Sequence, residues 1–218
     1  MKTPNYSSFE ERLHYLTHGI GAIVSVIGFI VLIYYALEYQ DTGVMAGFIV
    51  FGLCMIVVFT FSAIYHWVEH KEWKKTLRVL DHIAIFLMIA GTYTPYLLGN
   101  LRENWGIPLL IVVWSLAIGG MIFKWVIRHQ LQKYEAYSIA FYAGLGMMIL
   151  FFIQPVVETV DFWGVFLLML GGAFYLIGIV FYANNRIPYN HAIWHLFVIA
   201  GAASHYFSIL YYVRPPMI

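Results

Sequence analysis

Uncharged apolar stretches of roughly 20 or more residues recur along the whole chain with short polar connections between them, a pattern that predicts membrane-crossing helices. Seven stretches qualify, at roughly 15–37, 44–68, 79–99, 105–127, 136–156, 162–183 and 190–213. Backbone polar groups in hydrocarbon must be satisfied within each segment. The pattern therefore predicts an all-α integral membrane protein, a seven-transmembrane helix bundle filling residues 1–218 as a single domain. The first run follows a short polar start with Lys2 and Arg12 and has no small-residue cleavage site after it. It is expected to be a retained helix.

Composition agrees with the pattern. Of the 218 residues 62% are hydrophobic and 11% charged, the latter less than half the roughly 25% of a soluble domain. A net charge of +1 offers nothing to a nucleic acid. Cys54 stands alone, which excludes a disulfide framework and a CxxC metal site. Any metal must rely on histidine and carboxylate.

The basic residues set an orientation. Lys2, Arg12, Lys71, Lys74, Lys75, Arg78, Lys124, Arg128, Lys133 and Arg186 fall on one side, and Arg102 and Arg214 on the other. The positive-inside rule then places the N-terminus in the cytoplasm and the C-terminus outside, in a multi-pass protein of the cell membrane. Glycines at Gly119-Gly120, Gly144, Gly146 and Gly171-Gly172 are expected at helix packing surfaces. Pro95 is expected to bend the third span.

Nine histidines include three pairs spaced i,i+4: His14/His18, His66/His70 and His191/His195. Residues four apart share one helix face, so such a pair can grip one ion. Ionisable groups at membrane depth are costly and are functional candidates by default. His70 and His129 fall in basic loops and are expected to be solvated. His66 ends span two, His191 and His195 open span seven, and Asp81 opens span three. Four groups from three helices thus share one depth, at the cytoplasmic end. His14 and His18 lie at the same end of span one, as cavity lining before ligands. His205, in the outer half, is expected to be a hydrogen-bonded helix residue.

Zinc suits this set: three neutral imidazoles leave a fourth position open for water, and Zn²⁺ lowers the pKa of that water to about 7. Asp81 can accept the water's proton without ligating. HAIWH lacks the internal glutamate of HExxH, so the base must come from another helix. As alternatives, Asp81 could cap span three, although Thr76 is an earlier candidate cap. Ser62, four residues before His66, could bond to water or substrate, or back to its own helix.

His18-Gly-Ile-Gly21, Ser62-Ala-Ile-Tyr-His66, Asp81-His82 followed by Ala90-Gly-Thr-Tyr-Thr-Pro95, and His191-Ala-Ile-Trp-His195 resemble the bacterial hemolysin III family. That family is the prokaryotic branch of the progestin and adiponectin receptor superfamily. The resemblance runs in order across essentially the whole chain. It implies zinc held by His66, His191 and His195, Asp81 against the zinc-bound water, and Ser62 as the motif serine.

The resemblance also implies candidate activities. Relatives include receptors with ceramidase-like activity and alkaline ceramidases. Bacterial members are named for lysing red cells, and a role in lipid or energy homeostasis has been proposed. Fold membership does not choose among these. Three expectations stand: a zinc-dependent hydrolase of a lipid amide or ester, a non-enzymatic regulator with structural zinc, and a cytolysin. The last is disfavoured because seven spans leave no water-soluble phase. A transporter is disfavoured because no pair of interrupted helices is evident. The partner in each case is membrane lipid, as substrate, ligand or target.

Overall fold

The computed structural model describes residues 6–215. Within them the chain is helical throughout: α1 Ser8–Tyr39, α2 Thr42–Trp67, α3 Lys71–Leu98, α4 Ile107–Val126, α5 Glu135–Gly146, α6 Ile153–Thr159, α7 Phe162–Ala183 and α8 Asn190–Tyr212. A π-helical turn, Arg102–Gly106, leads into α4, and a 3₁₀ stretch, Met147–Phe152, joins α5 to α6. Seven helical units, with α5 and α6 counted as one, are long and apolar enough to cross a membrane. This is a multi-pass integral membrane protein.

Local chemistry explains the helix ends. Ser7 caps α1, its hydroxyl accepting from the Glu10 N–H while the Glu10 carboxylate accepts the Ser7 N–H at 2.8 Å; this reciprocal box satisfies two donors that a helix start leaves open. Gln40 closes α1 in the left-handed region, with φ 50°. Asp41 then caps α2 by accepting from the Val44 N–H at 2.9 Å. Thr76 does not begin α3. The helix starts at Lys71, and no side chain caps it at His70. The additional turn places Asp81 well inside the helix, which rules out a capping role.

The fifth crossing departs from the continuous helix expected over 136–156. It tightens into 3₁₀ geometry after Gly146, and a side chain from α3 enters the break. The Tyr93 hydroxyl lies 3.0 Å from the Leu145 carbonyl and 2.8 Å from the Gly146 carbonyl, and accepts from the Ile149 N–H at 2.9 Å. Irregular backbone at membrane depth survives where protein groups re-satisfy it, and low helix propensity at Gly144 and Gly146 eases the transition.

The helices form a ring. α1 packs on α2 and α8, α2 on α3, α3 on α4, and α7 on α8, while α5 bridges the gap by touching α3, α4 and α7. Phe48, Phe51, Phe86, Tyr96 and Leu97 fill the core between α2, α3 and α4. Ile20, Ile23, Ile27 and Ile30 of α1 are exposed on the outer surface. With no hydrophobic force between helices in lipid, close backbone approach carries the packing. Gly120 lies against Phe86, and Gly171 against His205. The other expected packing glycines, Gly119, Gly144, Gly146 and Gly172, have open space where a Cβ would be. Gly146 and Gly172 instead line an interior cavity.

Candidate metal centre

Four histidines from three helices meet at the end of the bundle where the chain begins: His14 of α1, His66 of α2, and His191 and His195 of α8. The His14 ring centroid lies 4.6 Å from that of His66 and 4.7 Å from that of His191. One nitrogen from each of His14, His66 and His191 lies within 4.8 Å of the other two. Nε2 of His66 and Nε2 of His191 face each other at 3.2 Å.

Hydrogen-bond partners fix the tautomers. His66 Nδ1 lies 2.7 Å from Glu11 Oε2. An ionised carboxylate accepts only, so the proton sits on Nδ1 and Nε2 turns its lone pair inward. Lys74 Nζ, 2.8 Å from Glu11 Oε1, holds the carboxylate from the other side. A carboxylate behind an imidazole is the usual outer support of a metal-ligating histidine. His195 is anchored in a similar way, with Nδ1 3.1 Å from Thr17 Oγ1. The Thr17 hydroxyl has its own proton directed at the carbonyls of Leu13 and His14, so its oxygen accepts from His195 Nδ1–H. That leaves His195 Nε2 unprotonated.

His14 tests the fit to an ion. It is 0% exposed, yet neither ring nitrogen has a hydrogen-bond partner among the described residues, and neither does His191 Nδ1. Glu11, the acid at His14 Nδ1, is 3.9 Å away, beyond hydrogen-bond reach. A buried polar group without a partner is costly. Three imidazoles converging with nitrogens unfilled could hold a metal ion.

Two of the three sequence-expected ligands, His66 and His191, belong to this tight group, and its third member is His14. His195 lies one turn deeper, with ring centroids 5.2 Å from His66 and 4.7 Å from His191. It stacks face to face on His18 at 3.6 Å. Ser62 is buried and turns its hydroxyl toward the Asp81 carboxylate rather than to its own helix. Both residues line, together with His191 and His195, a cavity of about 360 Å³. Its wall continues along Val58, Ile85, Met88, Ile89, Met147 and Leu150, so one end is polar and the body is apolar.

The remaining histidines separate as their depth suggests. His70 and His129 are exposed. His205 Nε2–H donates to the Leu168 carbonyl at 3.0 Å, a link between α8 and α7. Tyr6, ahead of α1, lies edge-on to His14 at 4.7 Å and tilted over His191 at 5.2 Å, and burial pushes its phenol pKa up.

Sequence reasoning missed Glu11, Thr17 and the full weight of His14. The available signal was the spacing Glu11, His14, His18, which places three polar groups on one face of an otherwise apolar helix. Along the chain Glu11 resembles an ordinary first-turn acid beside the capping Glu10. Lys124, counted among the basic residues that set the orientation, is 1% exposed and faces inward from the last turn of α4.

Comparison with known proteins gives the family. The haemolysin-III related family matches residues 6–206. The chain belongs to that family. Hemolysin-3 of Bacillus cereus is 41% identical over 206 residues, covering 94% of this chain and 93% of the relative. A hemolysin-3 homolog of Bacillus subtilis (strain 168) is 38% identical over 210 residues, covering 96% and 97%. The human monocyte to macrophage differentiation factor is 33% identical over 175 residues, covering 75% and 69%. Family kinship therefore extends beyond bacteria, in keeping with the progestin and adiponectin receptor superfamily.

Proposed function

We propose that this haemolysin-III family protein is a zinc-dependent hydrolase of a lipid acyl bond, amide or ester. The observation that carries the proposal is the adjacency of the histidine cluster to a cavity that has a polar end and an apolar body. His66, His191 and His195 would hold the ion from their unprotonated nitrogens, with His14 beside them. When bound there, zinc supplies a Lewis acid for a carbonyl oxygen and a water acidified to a pKa of about 7.

The chain's own groups have separate tasks. Glu11 and Thr17 keep the imidazoles turned inward. Ile85, Met88, Ile89, Met147 and Leu150 receive an acyl chain and exclude water from it. Asp81 accepts a proton from the attacking water and returns it to the departing amine or alkoxide. Ser62 fixes the orientation of that carboxylate through its hydroxyl. With the N-terminus in the cytoplasm, as the basic residues favour, the cluster lies near the inner leaflet and a lipid enters from it.

The test is turnover by purified protein in nanodiscs with chain-labelled ceramides and phospholipids. Release of labelled acid that falls at least 100-fold in Asp81→Ala supports the assignment; release unchanged in that variant removes it.

His14 supports a second function. A fourth imidazole near the ion would close the coordination shell, the pattern of a structural site. The protein would then be a regulator, and His66→Ala would lower thermal stability with no lipid turned over by the wild type.

A further inference from the structure

One charge at the polar end of the cavity has no part in the proposed chemistry. Lys124 is among the largest fully buried side chains and lines the cavity. Its ammonium rides over the Tyr142 ring, 5.4 Å from the centroid. Among the described residues it makes no hydrogen bond and no ion pair. The other charges facing this space are Arg78, Asp81 and Glu135. Each is engaged elsewhere or held back. Asp81 faces Ser62, Glu135 accepts from the Tyr182 hydroxyl, and Arg78 has interactions of its own. The two carboxylates act on Lys124 across the space without touching it.

A buried ammonium has three donors to satisfy, and in hydrocarbon no bulk water offers to do so. The aromatic face supplies part of that need and no acceptor oxygen. The cavity that this ammonium lines is walled by Met88, Met147 and Met169 as well, residues further from this end of the bundle. Gly146 and Gly172 keep its wall open, since nothing lies within 4 Å of a Cβ built on either. A volume of about 360 Å³ falls in the range of small-molecule sites.

We propose that Lys124 anchors the head group of an anionic amphiphile, with one oxyanion, carboxylate or phosphate, at Lys124 and an alkyl chain along the apolar wall. This concerns what the cavity holds and stands whether or not the protein hydrolyses anything. A neutral lipid head group could fill the same space but would bring no anionic acceptor into contact with the ammonium.

The test uses the full-length protein in phosphatidylcholine nanodiscs and three probes with the same twelve-carbon chain: dodecyl phosphate, dodecanoate and uncharged dodecyl maltoside. Native mass spectrometry reads the bound fraction of each. The expected result is retention of at least one anionic probe about tenfold or more above the maltoside, as a charge-assisted contact gives. Lys124→Met should bring that probe down to the maltoside level, and Lys124→Arg should retain it. Retention of the phosphate alone, or of the carboxylate alone, identifies the head group. Equal retention of all three probes by the wild type overturns the proposal, and that comparison needs no variant to fold. An anionic preference that survives in folded Lys124→Met overturns it as well.

Discussion

Glu11 and His66, separated by 55 positions in the chain, meet through a 2.7 Å hydrogen bond from imidazole Nδ1–H to carboxylate. The contact joins the start of α1 to the end of α2 and decides which nitrogen of His66 faces the cluster. Lys74, at the start of α3, completes the arrangement from a third helix.

Glu11→Ala removes that support without touching a proposed ligand. Outer carboxylates of this kind are worth about 10–100-fold in metal affinity. The variant should lose zinc to a competing chelator at 10–100-fold lower chelator concentration than the wild type. Lys74→Met should shift it in the same direction by less, because the carboxylate keeps its imidazole partner.

Elemental analysis of purified variants separates the histidines. His66→Ala and His191→Ala should each reduce bound zinc to background, since their Nε2 atoms face each other across 3.2 Å. His205→Ala should keep its metal, because that ring serves the Leu168 carbonyl. A wild-type protein without stoichiometric metal after metal-replete purification would refute the centre.

Tyr93→Phe tests the break in the fifth crossing. The hydroxyl is the acceptor of the Ile149 N–H and lies beside two carbonyls. Its removal takes one hydrogen-bond partner from a part-buried backbone donor, at a cost of about 1 kcal/mol. A fall in thermal midpoint, with faster amide exchange around residues 147–152, is the expected outcome. Unchanged exchange would mean that the 3₁₀ stretch holds by itself.

Asp41 gives a pH dependence with a definite sign. It caps α2 and receives both guanidinium nitrogens of Arg102, each at 2.9 Å. These bonds hold its carboxyl below the usual carboxylate range, with the Arg102 contact the principal cause. A depressed folded-state pKa means that the unfolded chain takes up the proton first as pH falls. The stabilisation is complete above the ordinary aspartate value of about 3.9 and fades as pH drops below it toward the folded value. Asp41→Ala should cost about 1 kcal/mol at pH 7, the usual worth of a cap. Unfolding at pH 7 and at progressively lower pH should show the difference from wild type shrinking in acid.

Much of this protein was legible in the sequence because lipid is a strict solvent. Apolar runs of sufficient length can be nothing but helices there, so seven crossings and their approximate ends followed from the pattern of residues. The depth of Ser62, His66, Asp81, His191 and His195 followed from counting along those helices. Which way each side chain turns was decided by packing between helices, which no local pattern encodes. Tertiary structure brought His14 into the tight group ahead of His195, set Glu11 behind His66, and turned Lys124, near the end of the fourth span, into the bundle rather than toward the aqueous side. It also decided that Gly146 and Gly172 border empty space while Gly120 and Gly171 touch neighbours. A glycine at a packing surface and a glycine at a cavity wall look the same along the chain, because the difference lies in what the next helix places opposite them.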